Sequence, residues 1–147
     1  MILRPATRAE LPAVIALITG AASAASADEA VVDGAYERAF AAIEADPRNE
    51  VLVLVEGEEV LGCLQATYIP GLGKHGAERA LLEAVRVRPD RRGEGLGREL
   101  VSRAVERARS RGCALVQLTS NKERTAAHRF YASLGFTRSH DGFKLGL

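Results

Sequence analysis

The residues of this chain best suited to chemistry form a glycine-rich segment that follows an alternating apolar run. Residues 91–97 read R-R-G-E-G-L-G, and the pattern after them is that of an amphipathic helix. A helix start leaves backbone N–H groups without intrahelical partners and carries a partial positive charge, and glycine lets an anion approach the backbone. Nearby arginines can add charge-assisted hydrogen bonds. The segment, which we call the phosphate cradle (residues 91–97), therefore predicts a phosphate-binding site. Its expected contact residues are Arg91, Arg92, Gly93, Gly95 and Gly97.

The spacing of these glycines excludes two common nucleotide-binding motifs. A dinucleotide-binding G-x-G-x-x-G would need a glycine where the chain has Arg98 or Leu100. A P-loop would need G-K-S or G-K-T, which the sequence lacks. What remains is R-x-x-G-x-G, from Arg92 to Gly97. The alternative interpretation is an exposed basic loop whose glycines only allow a tight turn.

Two helices are predicted before the longer strands. Residues 2–5 read as a short strand, and Thr7 with Glu10 forms a capping-box pattern that starts a helix ending at Gly20. The apolar stripe of this helix comprises Leu11, Val14, Ile15 and Ile18. A second helix is predicted over 34–45, with Asp33 as N-cap and an end at Asp46-Pro47. Its apolar face comprises Tyr36, Phe40 and Ile43. The Ala-rich connection, residues 20–30, is expected to be mobile.

The rest of the chain alternates strand and helix patterns. Runs over 51–55 and 60–69 flank a turn and predict a hairpin of the second and third strands. The fourth strand is predicted over 77–88. A helix begins at Leu96 and ends at Gly112. A buried strand over 114–119, a helix over 123–134 and a final hairpin over 136–147 complete the predicted order.

This order, with the cradle between the fourth strand and the third helix, resembles the GNAT superfamily of acyl-CoA N-acyltransferases over the entire chain. A second motif supports the resemblance: residues 127–136 end in F-Y-x-x-x-G-F, as the family's fourth helix does, and residues 119–121 leave the fifth strand as T-S-N. The resemblance implies an α/β (α+β) fold with a mixed, mostly antiparallel sheet of about seven strands flanked by four helices. It also implies that strands 4 and 5 splay apart.

The resemblance assigns two catalytic roles. Glu83 stands before the cradle on the fourth strand, where many family members carry a glutamate that deprotonates the amine, often through water. Its alternative is a solvated strand carboxylate. Tyr131 would protonate the leaving thiolate, because a phenol with a pKa of about 10 keeps its proton at neutral pH. Its alternative is core packing, since Ala127, Phe130, Tyr131 and Leu134 also form a helical stripe.

The resemblance also implies that pantetheine binds between strands 4 and 5 as an added strand would. Val85 and Val87 fit that edge, and the N–H of Val85 is the expected donor to the thioester carbonyl. Arg86 replaces a small apolar residue often seen there, and strand alternation places it on the opposite face. Asn121 resembles a residue that binds pantetheine amides. Helix capping is its alternative.

Composition bounds the remaining possibilities. The 147 residues predict one domain, 1–147, and 20 basic against 19 acidic residues give no general attraction for nucleic acid or membrane. The segment from Arg86 to Arg111, however, contains nine arginines and only four acidic residues, which suits a small polyanion. For most of these arginines the alternative is a solvated helix face. Cys63 and Cys113 lie in apolar runs and are expected to be buried thiols.

No metal site is expected, because His75, His128 and His140 lack ligand spacing. His128 stands one helical turn before Tyr131 and could touch the cofactor or tune that phenol. Without a leader-like N-terminus or a long apolar stretch, the chain is expected to be cytoplasmic.

These observations predict transfer of an acetyl group from acetyl-CoA to a primary amine by direct attack in a ternary complex. A homodimer could form, and the small amine acceptor stays open. Asp33 and Glu37 could hold its ammonium or simply lie on the surface. Two alternatives remain, a non-catalytic acyl-CoA-binding regulatory module and an acetyltransferase acting on a protein or tRNA-linked amine.

Overall fold

Alternating apolar residues build the centre of a five-stranded sheet. The structure is a computed structural model that describes residues 1–20 and 32–147. The strands are β1 (Ile2–Pro5), β2 (Asn49–Glu56), β3 (Glu59–Ile69), β4 (Arg79–Val87) and β5 (Leu115–Leu118), in the spatial order β1-β2-β3-β4-β5. Neighbours from β1 to β4 run antiparallel. The predicted hairpin is confirmed, with β2 and β3 joined by a tight turn at Gly57, where φ is +60°.

The described residues also form four helices: α1 (Leu11–Thr19), α2 (Gly34–Ala45), α3 (Leu96–Arg111) and α4 (Thr125–Ser133). The N–H of Thr7 donates to the Glu10 carboxylate at 2.8 Å, so the capping pattern forms, and it starts a short 3-10 turn (Arg8–Glu10) before α1. Asp33 caps α2 through the N–H groups of Ala35 and Tyr36, at 2.9 and 3.2 Å. The Ala-rich connection predicted to be mobile lies outside the described residues beyond Gly20.

The helix stripes are confirmed only in part. Leu11, Val14 and Ile15 are buried, but Ile18 is 42% exposed because the burial of α1 ends one turn earlier on its stripe. Phe40 is the buried residue of α2, whereas Tyr36 is exposed. Thus α2 rests on the sheet through a narrower contact than its pattern predicts.

The sheet has apolar side chains on both faces. On one face Val53, Val55 and Cys63 join the buried residues of α1 and Phe40 of α2 in one cluster. On the other face a Cβ built on Gly62 would lie 3.3 Å from Leu100 Cδ2 of α3 and 2.8 Å from a backbone oxygen of β4. Gly62 therefore allows close approach of α3 and β4, which brings the start of α3 next to the end of β4.

A β-bulge interrupts β4. Cys63 pairs with Arg86 and Gln65 pairs with Glu83, so two steps along β3 match three steps along β4. The extra length is taken up at Ala84, whose φ is +51°, a left-handed conformation that costs a non-glycine residue about 1–2 kcal/mol. The bulge puts Glu83 and Arg86 on the same face of the sheet, because directly opposed residues of a ladder share a face. Regular alternation would have separated them.

A cluster of charged side chains fastens α3 to the sheet. Arg107 donates from Nε and Nη2 to the Glu50 carboxylate at 2.8 and 2.5 Å, and the Tyr68 hydroxyl donates to the same carboxylate at 2.8 Å. Arg111 lies over the Tyr68 ring at 4.1 Å and pairs with Glu78 at 3.0 Å. The hydrogen bond from Arg107 lowers the pKa of Glu50, and burial raises the pKa of Tyr68 to about 12.

The prediction of about seven strands is wrong, because the described residues form five. Residues 136–147 contain no strand, and Phe143 and Leu145 are 95% and 87% exposed. A hairpin needs a packed face to offset its ordering entropy, and these side chains find none.

The chain divides into one compact unit, Met1–Gln117, and a second, Leu118–Leu147. No helix among the described residues combines the length and apolar composition needed to cross a membrane.

Candidate active site

The phosphate cradle forms the turn that leads from β4 into α3. Gly93 and Gly95 have φ of +84° and +80°, and among the described residues no heavy atom beyond the chain neighbours lies within 4 Å of a Cβ built on either. Gly95 is the N-cap of α3, and no side chain caps this end. Gly97 lies in the first turn of the helix. A helix start leaves N–H groups without intrahelical partners, which is what an anion-binding turn requires.

The two cradle arginines differ in their surroundings. Arg91 donates to Glu94 at 2.6 Å and lies 3.6 and 3.7 Å from the carboxylates of Glu56 and Glu59. Arg92 is exposed and has no ion pair with any described residue. Arg92 is therefore the cradle arginine whose charge is available to a phosphate, whereas Arg91 would have to exchange carboxylate partners.

Glu83 lies on β4, exposed, opposite Gln65 of β3. An exposed carboxylate on the face that carries α1 can reach a substrate that enters from solvent. The role of Glu83 as a base and its alternative as a solvated strand residue are both compatible with this position.

Val85 lies in the bulge of β4, and Val87 is the last residue of that strand, opposite Gly62. The ladder with β3 leaves Ala84 and Val85 outside its paired positions. A bulge leaves the extra residue unpaired, which is how a strand can present a backbone donor to a ligand.

At the start of β4, where it meets β5, the Ala114 N–H donates to the Glu78 carbonyl at 2.8 Å. The predicted splay beyond that point stays a prediction.

Asn121 and Tyr131 belong to the second unit and are described within it. The Asn121 side-chain oxygen accepts the Glu123 N–H at 3.0 Å, which is the capping alternative, and its side-chain amide still offers donors. The Tyr131 ring packs edge-on against Phe130 and Phe136, with centroids 5.1 and 5.8 Å apart. The phenol therefore sits on a rigid aromatic support, which suits both packing and proton transfer.

His128 has a backbone partner in the turn before α4. Its Nε2 lies 2.8 Å from the Asn121 carbonyl oxygen, so the imidazole closes the turn before α4. The expected acceptor-wall residues are also engaged: Asp33 caps α2, and Glu37 pairs with Arg8 at 3.1 Å. These contacts support the surface alternative for both acids.

The cysteines make poor nucleophiles. Cys63 is buried, as predicted, and burial raises its pKa to about 12, so the thiol keeps its proton at neutral pH. Cys113 is only partly buried, which corrects the prediction for it, and desolvation again raises its pKa. Neither cysteine is therefore suited to form an acyl-enzyme.

Two features of the site escape the sequence patterns. The bulge at Ala84 has no signature, because alanine has no preference for positive φ. A cleft of about 370 Å³ lies between the end of α1 and the end of β4, lined by residues 17–20, Arg86, Val87, Pro89 and Arg92. The exposed Ile18 belongs to its wall. One sequence signal points to this cleft: Arg86 stands where the family often has a small apolar residue.

Comparisons with known proteins agree with this geometry. A sequence model of the acetyltransferase (GNAT) family matches residues 18–136. The chain is 31% identical over 113 residues to an aminoalkylphosphonate N-acetyltransferase of Salmonella typhimurium, covering 77% of this chain and 73% of that protein. It is 31% identical over 139 residues to an L-methionine sulfoximine/L-methionine sulfone acetyltransferase of Pseudomonas paraeruginosa, covering 91% and 78%. A solved structure described as a transcriptional regulator from Bacillus halodurans superposes with a TM-score of 0.89 at 39% identity, covering 99% of both chains.

Proposed function

The chain belongs to the GNAT family of acetyltransferases, and from that membership we propose that it transfers an acetyl group from acetyl-CoA to a primary amine. The single observation that carries the proposal is the open cradle: left-handed Gly93 and Gly95 before an uncapped α3, with Arg92 beside them. The family uses acetyl-CoA, whose diphosphate is the anion such a turn suits.

The donor would lie along β4 and the start of α3. Its diphosphate would meet the N–H groups of Gly93, Gly95 and Gly97, with Arg92 and, after carboxylate exchange, Arg91 adding charge. Its pantetheine would follow the backbone at Val85 and Val87, and Asn121 would donate an amide hydrogen bond. Arg92 has no carboxylate partner among the described residues, and the Asn121 side-chain amide keeps free donors, which supports these two assignments most directly.

The reaction needs a neutral amine, a polarised carbonyl and a proton for the thiolate. An unperturbed alkyl amine is neutral in only about one molecule per thousand near pH 7, so Glu83 would take the ammonium proton, directly or through water. The amine nitrogen then bonds to the acetyl carbon while the Val85 N–H stabilises the oxyanion. The carbon–sulfur bond breaks, and Tyr131 gives its proton to the sulfur. The amide nitrogen loses its second proton to solvent, which also reprotonates the phenol and takes the proton held by Glu83, leaving an amide and coenzyme A.

A screen of amine acceptors with acetyl-CoA and thiol detection tests the proposal. Steady thiol release with at least one acceptor class, together with the matching amide by mass spectrometry, is the expected result. The acceptors should include small amines, amino acids, aminoalkylphosphonates, peptides and aminoacylated tRNA. Cofactor binding without amide formation across this panel would contradict acetyl transfer.

A second function has one observation in its favour. The full-length structural neighbour at 39% identity is described as a transcriptional regulator, which favours a non-catalytic acyl-CoA-binding module that regulates a partner. The retained pair of Glu83 and Tyr131 favours the enzyme, because a sensor needs neither a base nor an acid. Acetylation of a protein or tRNA-linked amine is the remaining alternative, and a net charge of +1 offers little attraction for RNA.

The wider setting follows from the same proposal. We expect cytoplasmic activity on a small amine with no nucleic acid, membrane or metal partner, and a homodimer could form. Sedimentation equilibrium over a hundredfold concentration range distinguishes a dimer from a monomer.

A further inference from the structure

The arginines from Arg86 to Arg111 differ in whether a carboxylate pairs with them. Most of them have a carboxylate partner, and this holds for Arg88, Arg91, Arg103, Arg107, Arg109 and Arg111. Arg86 has none among the described residues: its recorded hydrogen bond runs from Nη1 to the Val85 carbonyl at 2.9 Å. A guanidinium has five N–H donors, so four remain for other partners.

Arg86 is also partly buried, and it lines the cleft beside the end of α1. Partial burial removes some of the guanidinium's hydration, and the described residues return one hydrogen bond, to the Val85 carbonyl, but no ion pair. The cleft volume of about 370 Å³ lies within the range of small-molecule sites, roughly 300–1,000 Å³. A small anion seated in this cleft would supply the missing partner.

The bulge determines what such an anion could belong to. Arg86 and Glu83 share a face of the sheet, opposite Cys63 and Gln65. Cys63 and Gln65 are two residues apart on the extended strand β3, about 7 Å, and Arg86 and Glu83 lie directly beside them. A base at Glu83 and a cation at Arg86 therefore suit a molecule whose amine and acidic group lie a few bonds apart.

We propose that Arg86 binds an acidic group of the acceptor, so that the substrate is a small amine that also carries a carboxylate or a phosphonate. This inference rests on the proposed acetyl transfer to a primary amine. Arg92 also lines the cleft, and the proposed function assigns it to the diphosphate of acetyl-CoA, so Arg86 is the cleft arginine left for the acceptor.

Three acceptors of matched length test the proposal: propylamine, β-alanine and 2-aminoethylphosphonate. We expect the two acids to have kcat/KM at least tenfold above propylamine. Arg86→Gln should lower kcat/KM for the acids by about 10- to 100-fold, mainly through KM, and lower kcat/KM for propylamine far less. Arg86→Lys should recover part of the loss. The two acids distinguish a carboxylate site from a phosphonate site.

Arg103→Gln is the matched control, because it removes the same charge from a surface pair with Glu99 on α3. It should leave all three acceptors unchanged. Acetyl-CoA affinity, measured by calorimetry, should be equal in the wild type and the Arg86 variants. Equal losses for acids and propylamine, or a weakened acetyl-CoA complex, would overturn the acceptor role of Arg86.

Direct binding separates this inference from the proposed function. If no amine is acetylated, calorimetry of β-alanine and 2-aminoethylphosphonate with the coenzyme A complex still tests the anion site. Binding that Arg86→Gln abolishes supports the site even though acetyl transfer has failed. Turnover of propylamine with neither turnover nor binding of the acids contradicts the inference while the acetyltransferase stands.

Discussion

Glu83 is exposed on β4, so replacing it changes chemistry with little effect on packing. Glu83→Gln should lower turnover about a hundredfold near pH 7, in the range of a lost general base, and recover partly at alkaline pH, where more acceptor is already neutral. The measurement is a pH profile of thiol release. Glu58→Gln, at the exposed β2–β3 turn, is the control and should follow the wild type. A Glu83→Gln profile that superposes on the wild type at equal rate would leave Glu83 as a solvated strand residue.

Tyr131→Phe separates proton donation from packing, because it keeps the ring between Phe130 and Phe136. Turnover should fall about a hundredfold where chemistry limits the rate, with acetyl-CoA affinity and thermal stability close to the wild type. Tyr36→Phe removes an exposed hydroxyl on α2 and should have no effect. Full single-turnover rates in the Tyr131 variant would assign this residue to packing alone.

At the scale of single residues, the sequence predicts what depends on local geometry. The left-handed glycines of the cradle, the Asp33 cap and the burial of Cys63 all follow from residue type and immediate neighbours. The shared face of Glu83 and Arg86 does not, because it depends on the pairing of β4 with β3 and on a positive φ at an alanine. The half-exposure of Ile18 likewise depends on where tertiary packing against α1 ends.

Among the elements, α3 has left-handed glycines at both ends, Gly95 and Gly112, with φ of +80° and +92°, and no described side chain lies within 4 Å of a Cβ built at either position. Alanine at either position should cost a similar amount of stability, about 1–2 kcal/mol. Only Gly95→Ala should weaken acetyl-CoA binding, by tenfold or more, because its Cβ enters the space of the diphosphate. Calorimetry and urea unfolding of both variants make the comparison. Equal acetyl-CoA affinity in the two variants would contradict the cradle.

The attachment of α3 to the sheet predicts an acid dependence of stability. The Arg107 hydrogen bond lowers the pKa of Glu50 in the folded state, so the folded state binds fewer protons there than the unfolded chain. The contribution of Glu50 is therefore present above its unfolded pKa, about 4.5, and is lost as pH falls through the lower folded value. Glu50→Gln should cost about 1–3 kcal/mol at pH 7, and this deficit should shrink below pH 4.

Urea unfolding of the wild type and Glu50→Gln at pH 7, 5 and 3 measures this change. Glu58→Gln, in the exposed turn, should show no deficit at any of these pH values. If Glu50→Gln lowers the free energy of unfolding by the same amount from pH 7 to pH 3, Glu50 and Arg107 stabilise the attachment of α3 by packing rather than by charge.

For the whole molecule, a bound ligand stabilises the folded state by an amount that rises with the logarithm of its concentration divided by its Kd. Acetyl-CoA at about a hundred times its Kd should add about 2.7 kcal/mol, which raises Tm by roughly 5–10 °C for a chain of this size. Acetyl-pantetheine, which lacks the diphosphate, should give a clearly smaller shift at the same concentration. Thermal unfolding followed by circular dichroism measures both. Equal shifts would show that the cradle contributes nothing to recognition.

The order of elements as far as α4 could be predicted from the sequence, because each helix and long strand carries its own cap, turn or apolar period. The final hairpin could not. An alternating segment such as F-K-L-G-L over residues 143–147 becomes a strand only where a neighbouring edge accepts its hydrogen bonds. Local pattern specifies which residues could alternate, whereas tertiary pairing decides whether they do.

The bulge at Ala84 also has a consequence for isotope exchange. Amides in the paired positions of β3 and β4 should exchange with deuterium slowly, whereas those of Ala84 and Val85 lie outside the paired register. We expect a two-residue window of fast exchange inside a protected strand. If the Val85 N–H binds the thioester, acetyl-CoA should slow that window more than desulfo-coenzyme A does. Deuterium labelling of this strand would then report donor occupancy in real time, whatever amine the protein accepts.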